Sequence, residues 1–411
     1  MRILIATPVF YPMINGVAMF SYNLATGLAR RGNEVLVITP SQTGKRHTKM
    51  LNGVKICYLD STRVGVYPDQ IHDVPKKKQF FYKNSLRASV FPAKQIKKIF
   101  DDFRPEVVHV QGSDPIGVAT IKWARKNRVP VVTTEHNQPE VLTESLMMPG
   151  VLRKPTNKAL AKYFVRRQKK SDYVTMPTKL SIDKLIGSKD LGVPVVAVSN
   201  GVDLSSFTPG EAADELYVKY NIPRKVPIIL YIGRLDPEKN VGVVLAAFAD
   251  FLDKHKLDRL SKTLFLVAGD GVDKNHLISE TKRLGIDDSV KFLGRIMPPD
   301  LYEIYKMGDV FVTASEIETQ GIVLIEAAAS GLPLIAVDAG AVAEVCRDGV
   351  NGYLLKPGDM QAISAAMADI LTDDSKRSKM VEASIKIAGE HSLEKTLDKF
   401  LEIYKKVCYN S

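Results

Sequence analysis

Two glutamates, Glu318 and Glu326, stand with seven residues between them in the run Ser315-Glu316-Ile317-Glu318-Thr319-Gln320-Gly321-Ile322-Val323-Leu324-Ile325-Glu326-Ala327. The apolar stretch Val310 to Thr313 before them reads as a buried strand, and Gly321 to Ser330 as a helix closed by Gly331 and Pro333. The carboxylates therefore bracket a helix N-terminus, where unpaired backbone N–H groups and the positive end of the helix dipole favour an anion. A carboxylate beside an anion site needs a neutral or cationic group in between, and a sugar carried on a diphosphate meets that need. Glu326 lies within Ile325-Glu326-Ala327-Ala328-Ala329, so it is expected to be partly buried and to need a partner, which ligand hydroxyls could supply. Taken alone, the spacing also fits two solvated charges.

Other reactive residue types recur after apolar runs. Arg234 and Lys239 follow Ile228–Ile232, five residues apart, with Gly233 and Pro237 shaping the loop. Paired cations there would stabilise a diphosphate leaving group as charge accumulates on it; a surface ion pair is the alternative. Gly16 precedes a helical stretch whose apolar positions, Phe20, Leu24 and Leu28, recur every four residues, and a glycine there lets backbone N–H groups approach a phosphate or simply serves the turn. This loop has no G-x-G-x-x-G run, which argues against a nicotinamide enzyme. His109 and His136 each end a strand, where a histidine is either a structural residue or a ligand contact. No Asp-x-Asp occurs, so the usual carboxylate pair for a divalent ion is missing. Fixed cations and the helix start at Gly321, Ile322 and Val323 would take its place, and metal-independent chemistry without a cofactor is expected.

The elements that must hold these residues alternate twice over. Short β-branched runs at Ile3–Ala6, Val35–Thr39, Val54–Leu59, Val107–Val110, Val131–Thr134, Tyr173–Thr175 and Val195–Val198 are separated by helical stretches such as Val17–Arg31 and Pro115–Asn127. The second half repeats the pattern at Ile228–Ile232, Leu264–Ala268, Val290–Leu293, Val310–Thr313, Leu334–Val337 and Tyr353–Leu355. This predicts an α/β fold of two Rossmann-like, doubly wound domains, over 1–200 and 201–391, facing across a cleft at the carboxyl ends of their strands.

With 411 residues, 45% hydrophobic and 25% charged, the chain has the composition of a soluble protein. Cys57, Cys346 and Cys408 are scattered, against disulfides and structural zinc and for a reducing compartment. Arg2 to Thr7 reads as a strand and is too short for a signal segment, and no run reaches ~18 apolar residues, so a cytoplasmic protein is expected. Charge is uneven. Residues 1–210 carry 32 Lys and Arg against 15 Asp and Glu, a net +17, and the rest carry 25 against 31, a net −6. The basic residues concentrate at Lys76-Lys77-Lys78 beside Phe80-Phe81-Tyr82, at Lys94, Lys97 and Lys98, and between Arg153 and Lys170. Ala159 to Arg167 reads as a basic amphipathic helix able to lie on an anionic bilayer, with nucleic acid the competing partner and a solvated face the plainer reading.

Glu318-Thr319-Gln320-Gly321 through Glu326, with Ala329-Ser330-Gly331-Leu332-Pro333, resembles the signature of the family 4 retaining glycosyltransferases with the B-type fold. The likeness extends to Tyr231-Ile232-Gly233-Arg234-Leu235-Asp236-Pro237-Glu238-Lys239-Asn240, to Ser199-Asn200-Gly201-Val202-Asp203, and to Phe10-Tyr11-Pro12 and Asn15-Gly16-Val17. The resemblance implies that Arg234 and Lys239 hold the diphosphate, Arg295 the base, Glu326 the ribose, and Glu318 and His136 the donor sugar. It also implies that the last helix, around Leu393 to Lys406 within 392–411, crosses back to the first domain. The Glu-Thr-Gln-Gly variant resembles the subset that glucosylates diacylglycerol. The expected reaction is thus transfer of a hexose, glucose from UDP-glucose, to 1,2-diacylglycerol on the inner face of the cell membrane. Mannosyl transfer, or transfer to phosphatidylinositol or a soluble acceptor, is the alternative. A nucleic-acid-binding protein on the same fold would leave Glu318, Glu326, Arg234 and Lys239 without purpose.

Overall fold

Ile3 to Ala6 are completely buried, which is why this strand reads as a continuous apolar run and not as an alternation. The same holds for most strands of the molecule, in a computed structural model that describes residues 1–13, 15–65, 86–136, 138–140, 143, 148–187 and 190–409. The Lys76-Lys77-Lys78 and Phe80-Phe81-Tyr82 cluster lies outside the described residues. Contacts divide the chain into two units, Met1–Gly201 with Leu393–Ser411, and Val202–Ser392.

In the first unit the strands are β1 (Arg2–Ala6), β2 (Glu34–Pro40), β3 (His47–Leu51), β4 (Val54–Leu59), β5 (Thr62–Gly65), β6 (Leu86–Ala88), β7 (Val107–Gln111), β8 (Val131–Thr134), β9 (Tyr173–Met176) and β10 (Val195–Ala197). The main sheet runs β10-β9-β8-β7-β1-β2-β4-β3, parallel except for β3. Strand order reverses between β7 and β1. The helices include α1 (Gly16–Arg30), α2 (Ala93–Phe103), α3 (Pro115–Lys126), α4 (Gly150–Gln168) and α5 (Lys179–Leu185). β3 was not anticipated, because His-Thr-Lys-Met-Leu is polar and exposed and pairs only along one edge.

The helix expected to lie on a bilayer through its apolar face forms as α4, but the domain covers that face itself. Phe164 is buried, and Leu160, Ala161 and Val165 pack with Val174, Met176, Leu185 and Ile186. An apolar face already covered by protein is closed to lipid, which corrects that expectation. Lys154, Lys158, Lys162 and Arg166 remain outside, together with Val151 and Leu152 in the first turn.

The second unit has one parallel sheet, β13-β12-β11-β14-β15-β16, from β11 (Ile228–Ile232), β12 (Leu264–Ala268), β13 (Val290–Gly294), β14 (Val310–Thr313), β15 (Leu334–Val337) and β16 (Gly352–Leu355). Order reverses between β11 and β14, the switch point where α/β sheets open at their carboxyl ends. Helices α6 (Asp214–Lys219), α7 (Val241–Lys254), α8 (Lys274–Arg283), α9 (Asp300–Met307), α10 (Ile322–Ala329), α11 (Met360–Thr372) and α12 (Asp374–Ala388) complete the unit.

The last helix, α13 (Leu393–Tyr409), belongs to the first unit. Its buried residues, Leu393, Thr396, Leu397, Phe400, Ile403, Tyr404 and Val407, repeat at helical spacing, and all but Thr396 join Phe20, Leu24 and Leu28 of α1 in one core. Burial of each large side chain contributes about 1.5–3 kcal/mol, so α13 is a structural part of this sheet's cover. A Cβ at Gly27 would lie 2.5 Å from Leu397 Cδ1, so α1 and α13 meet closely. Arg31 pairs with Glu394, and with Asp398 at 2.7 Å, where they join.

Candidate active site

The loop after β11 turns through a 3-10 segment, Pro237–Lys239, and Asn240 takes a left-handed conformation that starts α7. Lys239 Nζ thereby reaches the loop after β14, donating to Glu318 Oε1 at 2.7 Å and to Ser315 Oγ at 3.4 Å. Both side chains are mostly buried, 15% and 16% exposed, so this ion pair is less solvent-screened than a surface one. Asn240 Nδ2 adds bonds to the Ala314 carbonyl and to Glu316 Oε1, at 3.3 and 3.0 Å. The two strand ends at the switch point are thus tied together by side chains that also present charge.

Backbone holds Glu318 from the other side. Its carbonyl accepts from Ala341 N–H at 3.0 Å, in the turn after β15. Gly340 in that turn has φ +57°, and a Cβ there would stand 2.5 Å from the Glu318 carbonyl oxygen, so any side chain displaces the Glu318 backbone. Gly321, left-handed at φ 72°, caps α10 without a side-chain cap; Leu324 N–H donates to the Gly321 carbonyl at 2.9 Å, and the N–H groups of Ile322 and Val323 open the helix. The helix begins at Ile322, so Gly321 is its cap and Ile322 and Val323 its first turn.

Glu326 lies one turn further along α10. Its Oε2 already has a protein partner: Tyr305 on α9, itself fully buried, donates to it at 2.7 Å. Burial pushes the Glu326 carboxyl up to about 7, and the tyrosine bond offsets part of that rise.

Arg234 pairs with Asp236 and with Glu238, the latter at 2.7 Å, within its own loop. Arg295, beyond β13, is half-buried, and burial pulls its guanidinium below the usual value against the opposing charge of Asp270. Lys239 and Glu318 are therefore in direct contact, while Arg234 and Arg295 follow β11 and β13 and Glu326 lies on α10, each with partners of its own. One feature was missed from the sequence: Gly269-Asp270-Gly271 after β12. A Cβ at Gly269 would lie 1.8 Å from the Gly233 carbonyl oxygen, so this loop packs backbone on backbone against the Arg234 loop. A Gly-x-Gly directly after a strand was the available signal.

In the first unit Gly16 is the first residue of α1, and Asn15 Oδ1 caps that helix by accepting from Ala18 N–H at 2.9 Å. His136 follows β8, edge-on to Phe20 with ring centroids 5.0 Å apart, and shares a bond with Gln111 Oε1 at 2.8 Å. Burial draws the His136 imidazole down to about 3, so it is neutral. His109 is fully buried, with its ring nitrogens against Tyr404 and Thr134. A groove of about 840 Å³ beside α2, lined by Arg46, Lys55, Cys57 and Lys98, contains none of the candidate residues.

Comparison with known proteins identifies the family of the chain. A family model described as Glycosyltransferase Family 4 matches residues 14–206, and one described as Glycosyl transferases group 1 matches residues 213–387. The chain belongs to the family 4 glycosyltransferases. Along 396 residues this glycosyltransferase is 28% identical to the alpha-monoglucosyldiacylglycerol synthase of Streptococcus pneumoniae, covering 95% of the chain and 83% of the relative. It is also 28% identical to a GDP-mannose-dependent alpha-mannosyltransferase of Mycobacterium tuberculosis, over 88% of the chain and 85% of that protein. Among solved structures, a sucrose-phosphate synthase of Thermosynechococcus elongatus matches with a TM-score of 0.74 at 17% identity, covering 100% of both chains, which is a likeness of fold. Two parallel-sheet α/β domains of the GT-B type are what these neighbours share.

Proposed function

We propose that this glycosyltransferase moves glucose from UDP-glucose to 1,2-diacylglycerol with retention at the anomeric carbon, without a metal ion, as a peripheral protein on the inner membrane face. The chemistry rests on the Lys239–Glu318 pair, held at 2.7 Å beside the uncapped start of α10. A donor diphosphate offers Lys239 a stronger partner than Glu318. It frees that carboxylate for the sugar hydroxyls, while Arg234 and the N–H groups of Ile322 and Val323 share the charge on the leaving group. Glu326 accepts from the ribose hydroxyls, Arg295 lines the base, Gly16 lets backbone approach the phosphate, and His136 meets the hexose.

The acceptor hydroxyl attacks the anomeric carbon on the face the diphosphate leaves. The carbon–oxygen bond to phosphate breaks as the new glycosidic bond forms, and the hydroxyl proton passes to the departing phosphate oxygen. Among the described residues no side chain is placed as a dedicated nucleophile, so front-face transfer is favoured over a covalent intermediate. Fixed cations in place of an Asp-x-Asp pair support metal independence.

The lipid acceptor rests on the likeness to the diacylglycerol glucolipid synthase, which runs nearly end to end. A basic surface supports it: Lys94, Lys97 and Lys98 are exposed on α2, just beyond Phe91, which is 90% exposed. No helix among the described residues is long and apolar enough to cross a membrane. Release of UDP from UDP-glucose, with the lipid product followed in parallel, tests the whole reading in anionic mixed micelles. Release and α-glucosyl lipid appearing together only with diacylglycerol, and unchanged in EDTA, is the expected result. Release without lipid product would overturn the acceptor, turnover with GDP-mannose alone would overturn the donor, and loss in EDTA restored by magnesium would overturn metal independence.

A further inference from the structure

A fully buried imidazole must place both ring nitrogens against partners, and His109 on β7 does so with groups from three elements. Its Nδ1 is 2.6 Å from the Tyr404 hydroxyl on α13, and its Nε2 is 2.7 Å from Thr134 Oγ1 and 3.2 Å from Gln111 Nε2. Gln111 extends the chain of bonds, with its Oε1 2.8 Å from His136 Nε2. Strand periodicity explains the meeting. His109 and Gln111 are two apart on β7, Thr134 and His136 two apart at the end of β8, and the register sets Gln111 beside Thr134, so all four share one face.

The protons in this chain can be assigned. An amide oxygen only accepts and an amide nitrogen only donates, so the two histidine nitrogens that touch Gln111 must differ. His136 Nε2, against the oxygen, carries a proton. His109 Nε2, against the amide nitrogen, carries a lone pair, which also accepts from Thr134. The His109 proton then sits on Nδ1 and is donated to the Tyr404 oxygen, while Thr134 accepts from Thr175 Oγ1 at 2.6 Å. Burial draws both imidazoles down to about 3, in keeping with one proton per ring.

We propose that Gln111, held in turn by His109 and Tyr404, is a positioning residue that fixes His136 as the Nε2–H tautomer and leaves Nδ1 as an acceptor for a hexose hydroxyl. This deepens the reading of His136 as a donor-sugar contact and rests on it. A ring lone pair accepts from a hydroxyl and repels a phosphate oxygen, so the tautomer selects the hexose end of the donor over its diphosphate. The control reaches far along the chain, since Tyr404 is 295 positions from His109.

The tautomer can be read without substrate, from ring-nitrogen NMR shifts of the full-length protein labelled with 15N-histidine, the His136 signals being assigned by their loss in His136→Gln. The wild type should show a protonated Nε2 and a bare Nδ1. Gln111→Met should give a mixture of tautomers. Tyr404→Phe removes the acceptor for His109 Nδ1–H, so His109 takes its proton at Nε2, the Gln111 amide turns over, and His136 switches to Nδ1–H. A wild-type Nδ1–H tautomer, or an Nε2–H tautomer that neither substitution moves, overturns the proposal. If Tyr404→Phe does not fold, Gln111→Met decides alone. In turnover each variant should lower kcat about tenfold through misplacement of the ring, with UDP affinity unchanged. An equal loss of UDP affinity would make the role merely structural. Absence of any transferase activity would count against the proposed function, and the shifts would still judge this assignment.

Discussion

The loops after β11 and β14 bring opposite charges to 2.7 Å, whereas the four side chains on one face at the ends of β7 and β8, His109, Gln111, Thr134 and His136, are neutral and joined by hydrogen bonds. Yet residues 1–210 carry the net +17 and residues 211–411 the net −6. The candidate side chains of the basic half are thus neutral, and the acidic half gathers cations at its own site. In the first unit the surplus lies outside, on α2 and α4, where Lys94, Lys97, Lys98, Lys158 and Lys162 are exposed. Net charge reports what a domain's surface meets, and local charge reports what its site must stabilise.

The comparison breaks most sharply at Lys239. Lys239→Met should lower kcat by about 10²–10³-fold in the UDP-release assay, because the cation acts where charge develops on the leaving group. Full turnover in a folded variant would remove the second unit's charged site from the mechanism. Glu326 tests the one carboxylate there whose affinity for a proton is strongly raised. Glu326→Gln should weaken UDP binding about tenfold at pH 8, since a carboxylate accepts from ribose hydroxyls better than an amide does. Its effect on stability has the opposite sign. With its carboxyl at about 7 when folded and 4.5 as the reference, the folded state holds the proton more tightly, so the wild type loses stability as pH rises from the lower value through the higher. The uncharged variant should therefore be more stable than wild type at pH 8, by about 1–3 kcal/mol, with the gap closing by pH 5. Melting curves lower than wild type at both pH values would reject the buried-carboxylate account. The smallest effect belongs to the outer surface of the first unit. Lys94→Ala should weaken binding to anionic vesicles about fivefold at low salt, one near-surface cation being worth about 1 kcal/mol, and should leave UDP affinity alone. Identical vesicle binding would place the membrane contact elsewhere.

Both sheets were legible because their strands are buried on both faces and therefore read as short apolar runs between helical patterns. Strands such as Val54–Leu59, Ile228–Ile232 and Leu334–Val337 begin and end where those runs do. β3 escaped because an exposed edge strand carries no such run. The α4 pattern was visible, but a helix's own sequence does not say whether protein or lipid covers its apolar face. Glu326 announced by its apolar neighbours that it needed a partner. Tyr305, 21 positions earlier on another helix, had no local signal. The same limit applied to Tyr404: the alternation of His109 with Gln111 and of Thr134 with His136 is readable from strand period alone, and the hydroxyl that completes their network lies at the other end of the chain.

That placement of α13 has a consequence for how the protein is made. The second unit is one continuous stretch, Val202–Ser392, while the core of the first lacks Leu397, Phe400 and Tyr404 until α13 is synthesised. At ~5–20 residues per second, the first sheet waits roughly 10–40 s on the ribosome for its covering helix, while the second unit has its whole sequence in hand first. The N-terminal half is thus the last to close, and a nascent chain stalled before α13 would present the bare face of β1 and β7 to chaperones.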